Sequence, residues 1–152
     1  MQLNIAAPTY LTRQLLPGML ARRRGGVLNV SSVAAFQPGP LMSVYYASKA
    51  YLLSFSEALA NETSGSGVTV TCLCPGPTRT GFLKAADMEG STLFRAMAVM
   101  SSRDVAEAGY DGFAAGKRLV IPGLMNKIAA QSARITPRAL VLQITRRLNE
   151  VR

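Results

Sequence analysis

A chain of 152 residues is long enough for one domain with a sizeable hydrophobic core. It contains no histidine, which excludes Ser-His-Asp and Cys-His catalysis and most zinc sites. We therefore expect no metal site. Any proton transfer must use tyrosine, lysine or carboxylates. The net charge of +9 comes from largely dispersed arginines without a nucleic-acid motif, so we do not expect nucleic-acid binding. The sequence shows neither a signal peptide nor an apolar run of the roughly 20 residues that span a bilayer. We therefore expect a cytoplasmic protein that does not bind a membrane.

The first predicted element is a long helix from residue 2 to about residue 23. An apolar side chain recurs there at every fourth position, at Leu3, Ala7, Leu11, Leu15 and Met19. Pro8 and Pro17 each remove an internal hydrogen bond, so we expect the helix to bend. Asn4 lies near such a bend, and taken alone it is interpreted as a surface side chain of the helix.

The next segment is predicted to form a strand, a loop and a second helix. Val27, Leu28 and Val30 make a short apolar run that ends at two serines, and residues 37–40 are rich in turn formers. Ser31 and Ser32 should face opposite ways, because side chains alternate along a strand. The second helix is predicted from residue 44 to about residue 62.

Tyr45 and Lys49 are four residues apart, so on the second helix they lie on one face, one turn from each other. A free phenol has a pKa of about 10, and a nearby ammonium lowers it toward the value that acid-base catalysis needs. Tyr46 is the weaker candidate, because Ala50 stands four residues after it. Ser32, at the end of the preceding strand, is positioned to hold a substrate oxygen beside the phenol.

A second strand is predicted from Val68 to Cys74, because this run is apolar or β-branched throughout, as in a parallel sheet buried on both faces. Cys72 and Cys74 alternate along it and therefore share a face, which suits buried thiols better than a disulfide. The following residues read Pro-Gly-Pro-Thr-Arg-Thr-Gly, and in isolation Pro-Gly-Pro indicates a turn.

The rest of the chain is predicted to continue the alternation of helices and strands. Residues 81–100 combine flexible apolar side chains with small ones, which suits either an adaptable pocket wall or ordinary core packing. A capped helix is predicted to begin at Ser102, followed by a third strand at residues 119–121. The last helix opens at Thr136-Pro137 and is amphipathic and basic; we expect it to dock on its own domain or on a partner subunit rather than on a membrane surface.

Ser32 followed by Tyr45-x-x-x-Lys49 resembles the active-site signature of the short-chain dehydrogenase/reductase family. The resemblance implies hydride transfer between NAD or NADP and an alcohol or carbonyl substrate. It implies that Tyr45 acts as proton donor or base, that Lys49 lowers the Tyr45 pKa and holds the nicotinamide ribose, and that Ser32 polarises the substrate oxygen. Asn4 matches the family's catalytic asparagine, which implies a bend in its helix and a role in holding a relay water.

The Pro75-Gly76 sequence resembles the family segment that contacts the nicotinamide. Thr78 stands where the family usually has Val or Ile, and Thr80 matches a position whose hydroxyl approaches the cofactor. The resemblance therefore implies six cofactor-binding residues: Tyr45, Lys49, Pro75, Gly76, Thr78 and Thr80. Residues 81–100 resemble the substrate lid of the family, which implies an apolar substrate.

Strands that alternate with helices predict an α/β fold with right-handed crossovers. The resemblance identifies it as the C-terminal part of a doubly wound, Rossmann-type parallel sheet with three recognisable strands. Residues 1–152 then form a single partial domain, because the family's Gly-rich phosphate loop is absent from the sequence, and we expect the first strand to expose a free edge. The chain is interpreted as a truncated, homo-oligomeric oxidoreductase, with a catalytically silent assembly or interaction module as the alternative.

Overall fold

The computed structural model describes residues 1–79 and 99–150, and the structural statements below concern those residues. Helices and strands alternate along them. The α-helices are α1 (Ala7–Ala21), α2 (Ser43–Glu62), α3 (Ser102–Ala114), α4 (Leu124–Ile135) and α5 (Arg138–Asn149). The strands are β1 (Gly25–Val30), β2 (Val68–Leu73), β3 (Thr78–Arg79), β4 (Met100–Ser101) and β5 (Leu119–Val120).

The first helix begins with a π-helical turn over Gln2–Ala6, which contains Asn4, and continues as α1. Pro8 lies in the first turn of α1, directly after the π-helical turn, whereas Pro17 lies inside the helix. A π-helical turn widens the backbone locally and is frequent at functional sites. The predicted helix is therefore confirmed, and its irregular geometry lies at Asn4.

Three strands form a parallel sheet in the order β1-β2-β5, with Gly25 opposite Val68 and Cys72 opposite Leu119. Parallel neighbours require a crossover connection, which α2 provides between β1 and β2. Between β2 and β5 the connection includes α3. The predicted α/β class with a parallel, Rossmann-type sheet is confirmed.

β1 lies at an edge of this sheet, as the sequence predicts. The amide of Ser31, just after β1, donates to the Leu73 carbonyl of β2 at 2.7 Å. Because the backbone polar groups of successive strand residues point to opposite sides, those of Leu28 and Val30 point away from β2. Their side chains are 39% and 50% exposed, so within residues 1–79 and 99–150 β1 presents both an unpaired edge and apolar surface.

The core lies around β2, whose residues are almost all buried. One buried cluster joins strand and helix residues from four regions of the chain: Leu53, Cys72, Cys74, Ile121 and Ala130. The two thiols are free and fully buried, with their sulfur atoms 3.8 Å apart. A hydrogen bond with Cys72 and burial raise the pKa of Cys74, so it remains a thiol at neutral pH, in agreement with the prediction.

The C-terminal region agrees with the prediction at α3 and differs from it afterwards. Helix α3 begins at Ser102 as predicted, and its cap is Ser101, whose hydroxyl accepts from the Asp104 amide at 3.1 Å. Helix α4 was not predicted, and Thr136 ends it instead of opening the last helix, which begins at Arg138. Within the described part of the chain, no helix combines the length and the hydropathy needed to cross a bilayer.

Candidate active site

Ser32 lies where β1 ends and a short 3-10 helix, Val33–Phe36, begins. Its hydroxyl caps that helix by accepting from the Ala34 amide at 3.1 Å, and it also donates to the Pro75 carbonyl at 3.5 Å. The hydroxyl of Ser31 points elsewhere and donates to the Lys49 carbonyl at 2.8 Å. The alternation expected for the two serines is thus observed, and Ser32 is fixed from both sides.

Tyr45 and Lys49 lie one turn apart near the start of α2. The Lys49 Nζ atom is 5.8 Å from the centre of the Tyr45 ring and donates to the Val30 carbonyl at 2.9 Å. Tyr46 points away from this pair, and its hydroxyl donates to Asn149 Oδ1 of α5 at 3.1 Å. Of the two adjacent tyrosines, Tyr45 is therefore the one that lies with lysine and serine.

Asn4 reaches the same region through a residue that sequence reasoning did not identify. Its Nδ2 atom donates to the Ser48 hydroxyl at 3.1 Å, and Ser48 donates to the Tyr45 carbonyl at 2.7 Å. Ser48 is buried, so this chain of hydrogen bonds is shielded from water. The sequence signal for Ser48 was its spacing of three residues from Tyr45, which places the two on neighbouring turns of one helix face.

Burial dominates the electrostatics of the site. Burial raises the pKa of Tyr45 above its ordinary value of 10.0, and a hydrogen bond with Ser32 opposes this rise. Burial also lowers the pKa of Lys49. The net direction for Tyr45 is opposite to the prediction that Lys49 lowers its pKa, because the ammonium lies over the ring, donates to Val30 and does not outweigh the loss of hydration.

The loop after β2 forms the other side of the site. The Thr78 hydroxyl donates to the Gly76 carbonyl at 2.9 Å, so its side chain closes its own turn. A Cβ atom at Gly76 would lie 2.3 Å from Asn126 Oδ1 of α4, so only glycine allows this close packing. Asn126 is buried and donates to the Pro122 carbonyl at 2.7 Å; no local pattern in the sequence singled it out.

A cavity of about 850 Å³ connects these elements. Seven of the eight predicted site residues line it: Asn4, Ser32, Tyr45, Lys49, Pro75, Gly76 and Thr78. The eighth, Thr80, and most of the predicted substrate lid lie outside the described residues. Much of the remaining lining is apolar and comes from β1, α2 and α5, including Leu28, Val30, Met42, Ile144 and Leu148. The cavity is within the size range of small-molecule sites.

Comparison with known proteins gives concordant matches. The family model for short chain dehydrogenase matches residues 1–90. A short chain dehydrogenase of Pseudocercospora fijiensis is 45% identical over 75 residues, which are 49% of this chain and 24% of that protein. Human dehydrogenase/reductase SDR family member 4 is 38% identical over 89 residues, 59% of this chain and 32% of that protein.

Among solved structures, a short-chain dehydrogenase from Sphingobium yanoikuyae in complex with NADPH is similar to this chain. The TM-score is 0.73 at 31% sequence identity, and the match covers 88% of this chain and 52% of that one. This chain therefore spans about half of that structure and a smaller share of the two relatives. The region matched by the family model contains the strand-end serine, the tyrosine-lysine pair and the loop after β2.

Proposed function

This chain belongs to the short-chain dehydrogenase family, and we propose that it forms the catalytic half of an NAD(P)-dependent oxidoreductase acting on an apolar alcohol or carbonyl compound. The observation that carries the proposal is the common cavity of Ser32, Tyr45 and Lys49, with Asn4 linked to the same helix. A phenol and a hydroxyl that are hydrogen-bonded at the end of a cavity are suited to hold one substrate oxygen and exchange a proton with it.

The nicotinamide end of the cofactor fits the residues present. Lys49 uses one of its three N–H groups on the Val30 carbonyl, which leaves donors for the hydroxyls of a ribose. Pro75, Gly76 and Thr78 also line the cavity. When bound there, the nicotinamide would supply or accept the hydride. The sequence contains no Gly-rich turn that would bind the pyrophosphate of the cofactor. We therefore assign the contacts of this chain to the nicotinamide and the adjoining ribose alone.

The protein's own contribution is proton transfer and orientation. Because burial raises its pKa, Tyr45 is a neutral phenol at pH 7 and is ready to donate a proton to a carbonyl oxygen. Ser32 is fixed beside it by the Ala34 amide and the Pro75 carbonyl. Asn4 and Ser48 hold the first turns of α2, and thereby Tyr45, in position. In the direction of alcohol oxidation the phenolate would be required, so that direction should need higher pH.

The substrate class follows from the rest of the lining. The apolar lining includes Leu28, Val30, Met42, Ile144 and Leu148. Burying apolar surface contributes roughly 25 cal/mol per Å², whereas a charged substrate group would meet few partners on these walls. We infer a compound with one reactive carbonyl or hydroxyl group on an apolar body.

Nucleotide binding tests the proposal on the 152-residue chain itself. Reduced nicotinamide mononucleotide, NADH and NADPH are titrated in turn, and the nicotinamide fluorescence is followed. We expect saturable binding of all three with similar affinity, because the proposed contacts end at the ribose. Lys49→Ala should weaken each by about tenfold or more, the effect of losing a charged hydrogen bond, whereas the exposed Lys127→Ala serves as a matched control.

Turnover of apolar ketones, followed by loss of the reduced nicotinamide absorbance, tests the catalytic assignment. Tyr45→Phe should lower the rate by about 10²-fold or more, as expected for loss of a general acid, and leave nucleotide binding intact. Tyr46→Phe removes the neighbouring hydroxyl and should retain turnover. Equal rates in Tyr45→Phe and wild type would contradict the assignment. Absence of saturable binding by the wild-type chain would support the silent interaction module instead.

A further inference from the structure

Helix α4 presents an apolar stripe to solvent. Leu124, Ile128 and Ile135 are spaced so that they share one helix face, with Gln131 between the last two, and they are 71%, 52% and 87% exposed. Met125 flanks the stripe and is also exposed. Three large aliphatic side chains on a single outward face are unusual for a surface helix, whose apolar face normally meets the core.

The opposite face of α4 is already packed. Ala130 belongs to the buried cluster around β2, and Asn126 is buried against Gly76 and bonded to the Pro122 carbonyl. The helix therefore cannot turn its aliphatic stripe inward without losing these contacts. The stripe is a fixed feature of the surface.

Positive charge lies along one flank of this stripe. Lys127 and Arg134 are exposed on that flank, Arg138 is exposed three residues after α4 ends, and no acidic residue occurs from Ile121 to Asn149. Helix α5 carries Arg146 and Arg147 in its last turn. An exposed aliphatic face beside cations is the pattern of helices that lie at the boundary between lipid headgroups and acyl chains. Protein interfaces, by contrast, are depleted of lysine and charged groups near their centre.

We propose that α4 docks on an anionic lipid surface. Leu124, Ile128 and Ile135 would enter the boundary of the acyl chains, while Lys127, Arg134 and Arg138 would lie among anionic headgroups. This contact is peripheral and involves α4, a helix that the sequence did not predict. Helix α5 instead docks on its own domain through the buried residues Val141, Thr145 and Asn149, which agrees with the sequence prediction for the last helix.

Vesicle flotation of the 152-residue chain tests the proposal. The vesicles consist of phosphatidylcholine alone or of equal parts phosphatidylcholine and phosphatidylserine. We expect binding to the mixed vesicles only. The combined substitution Leu124→Ser, Ile128→Ser and Ile135→Ser should reduce the bound fraction to background. These side chains are largely exposed, so circular dichroism should show an unchanged fold, and the same substitutions at the exposed Tyr10, Leu11 and Leu15 of α1 are the matched control.

A second pair of variants separates a specific surface from general charge attraction. Lys127→Gln, Arg134→Gln and Arg138→Gln together should weaken binding by about tenfold or more, because each cation near an anionic surface contributes on the order of 1 kcal/mol. Arg13→Gln, Arg22→Gln and Arg24→Gln remove the same net charge from exposed positions elsewhere. Equal weakening by both sets would overturn the proposal.

Two other results would also overturn it. One is failure of the wild-type chain to bind the mixed vesicles. The other is a dimer in sedimentation equilibrium that the triple serine variant of α4 abolishes, since the stripe would then be a protein interface. Vesicle binding requires no turnover, so a negative result leaves the oxidoreductase proposal unaffected, and loss of turnover in Tyr45→Phe leaves the lipid proposal unaffected.

Discussion

Tyr45 and Tyr46 are adjacent residues with the same chemistry in different surroundings. The Tyr45 ring lies in the cavity near Lys49, and its hydroxyl is hydrogen-bonded with Ser32. The Tyr46 hydroxyl binds Asn149, a residue that packs α5 onto the domain. Neighbours on a helix point about 100° apart, so a one-residue difference separates the proposed catalytic position from a structural one.

The titration of Tyr45 gives the first prediction. Its pKa lies above 10.0, because burial disfavours the phenolate, and the hydrogen bond with Ser32 limits the shift. Ser32→Ala should therefore raise the Tyr45 pKa further. The measurement is the tyrosinate absorbance against pH, with the Tyr45→Phe spectrum subtracted to isolate this ring. A Tyr45 pKa that falls or stays constant in Ser32→Ala would show that Ser32 does not stabilise the phenolate.

The raised pKa of Tyr45 also predicts how turnover depends on pH. Carbonyl reduction needs the protonated phenol, which is the dominant form at all pH values below the raised pKa. Its rate should stay level from pH 7 through pH 9 and fall only at higher pH. Alcohol oxidation should rise over the same interval, because the phenolate fraction grows. A reduction rate that falls between pH 7 and pH 9 in wild type, with the same fall in Tyr46→Phe, would contradict a raised pKa.

At the scale of elements, the side-chain amide of Asn149 makes two hydrogen bonds that hold α5 on the domain. Asn149 Nδ2 donates to the Pro40 carbonyl at 2.9 Å, while its Oδ1 atom accepts from Tyr46. Asn149→Ala leaves the buried Tyr46 hydroxyl and the half-buried Pro40 carbonyl without this partner and should reduce the free energy of unfolding by about 2 kcal/mol. Urea denaturation measures this. Gln143→Ala on the exposed side of α5 is the control and should change stability little. A similar cost for both variants would mean that the amide does not hold the helix.

The contact between Gly76 and Asn126 holds the loop after β2 against α4. Gly76→Ala would bring a Cβ atom within 2.5 Å of all three terminal atoms of the Asn126 amide, and it should cost about 1–3 kcal/mol in stability. Adding Asn126→Ala removes the collision, so the double variant should be less impaired than the sum of the two single ones. Thermal unfolding of the wild type, the two single variants and the double variant gives the stabilities that this comparison needs. Additive losses would indicate that the two residues are not in contact.

Local spacing in the sequence predicted the residues at the centre of the site. It did not predict the residues that hold them in position. Ser32, Tyr45 and Lys49 follow from one strand end and one helix turn, both readable within a short segment. Asn126 and Asn149 act across long stretches of chain, and such contacts leave no local pattern. Ser48 shares a helix face with Tyr45, but its bond to Asn4 joins residues 44 positions apart. Helix α4 was missed because its large aliphatic residues face solvent and its small ones face the core, the reverse of the usual amphipathic pattern.

At the scale of the whole molecule, the described part of the chain brings seven predicted residues to one cavity and leaves β1 at the edge of its sheet. Leu28 and Val30 are part of the apolar lining and at the same time belong to the open edge. The Val30 carbonyl on that edge accepts from Lys49, so the edge and the site share a backbone group. Whatever pairs with β1 will therefore lie next to the lysine that we assign to the ribose.

The open edge predicts self-association of the 152-residue chain. Unpaired N–H and C=O groups beside apolar side chains are a template for pairing with another strand, and a lysine on such an edge prevents it. Sedimentation velocity at increasing concentration should show oligomers of the wild-type chain and mainly monomers of Leu28→Lys. Leu15→Lys, which places the same charge on an exposed leucine of α1, is the control and should associate like wild type. If Leu28→Lys associates as strongly as Leu15→Lys, the contact lies elsewhere, because a buried, unpaired ammonium in a β1 interface would be too costly to retain.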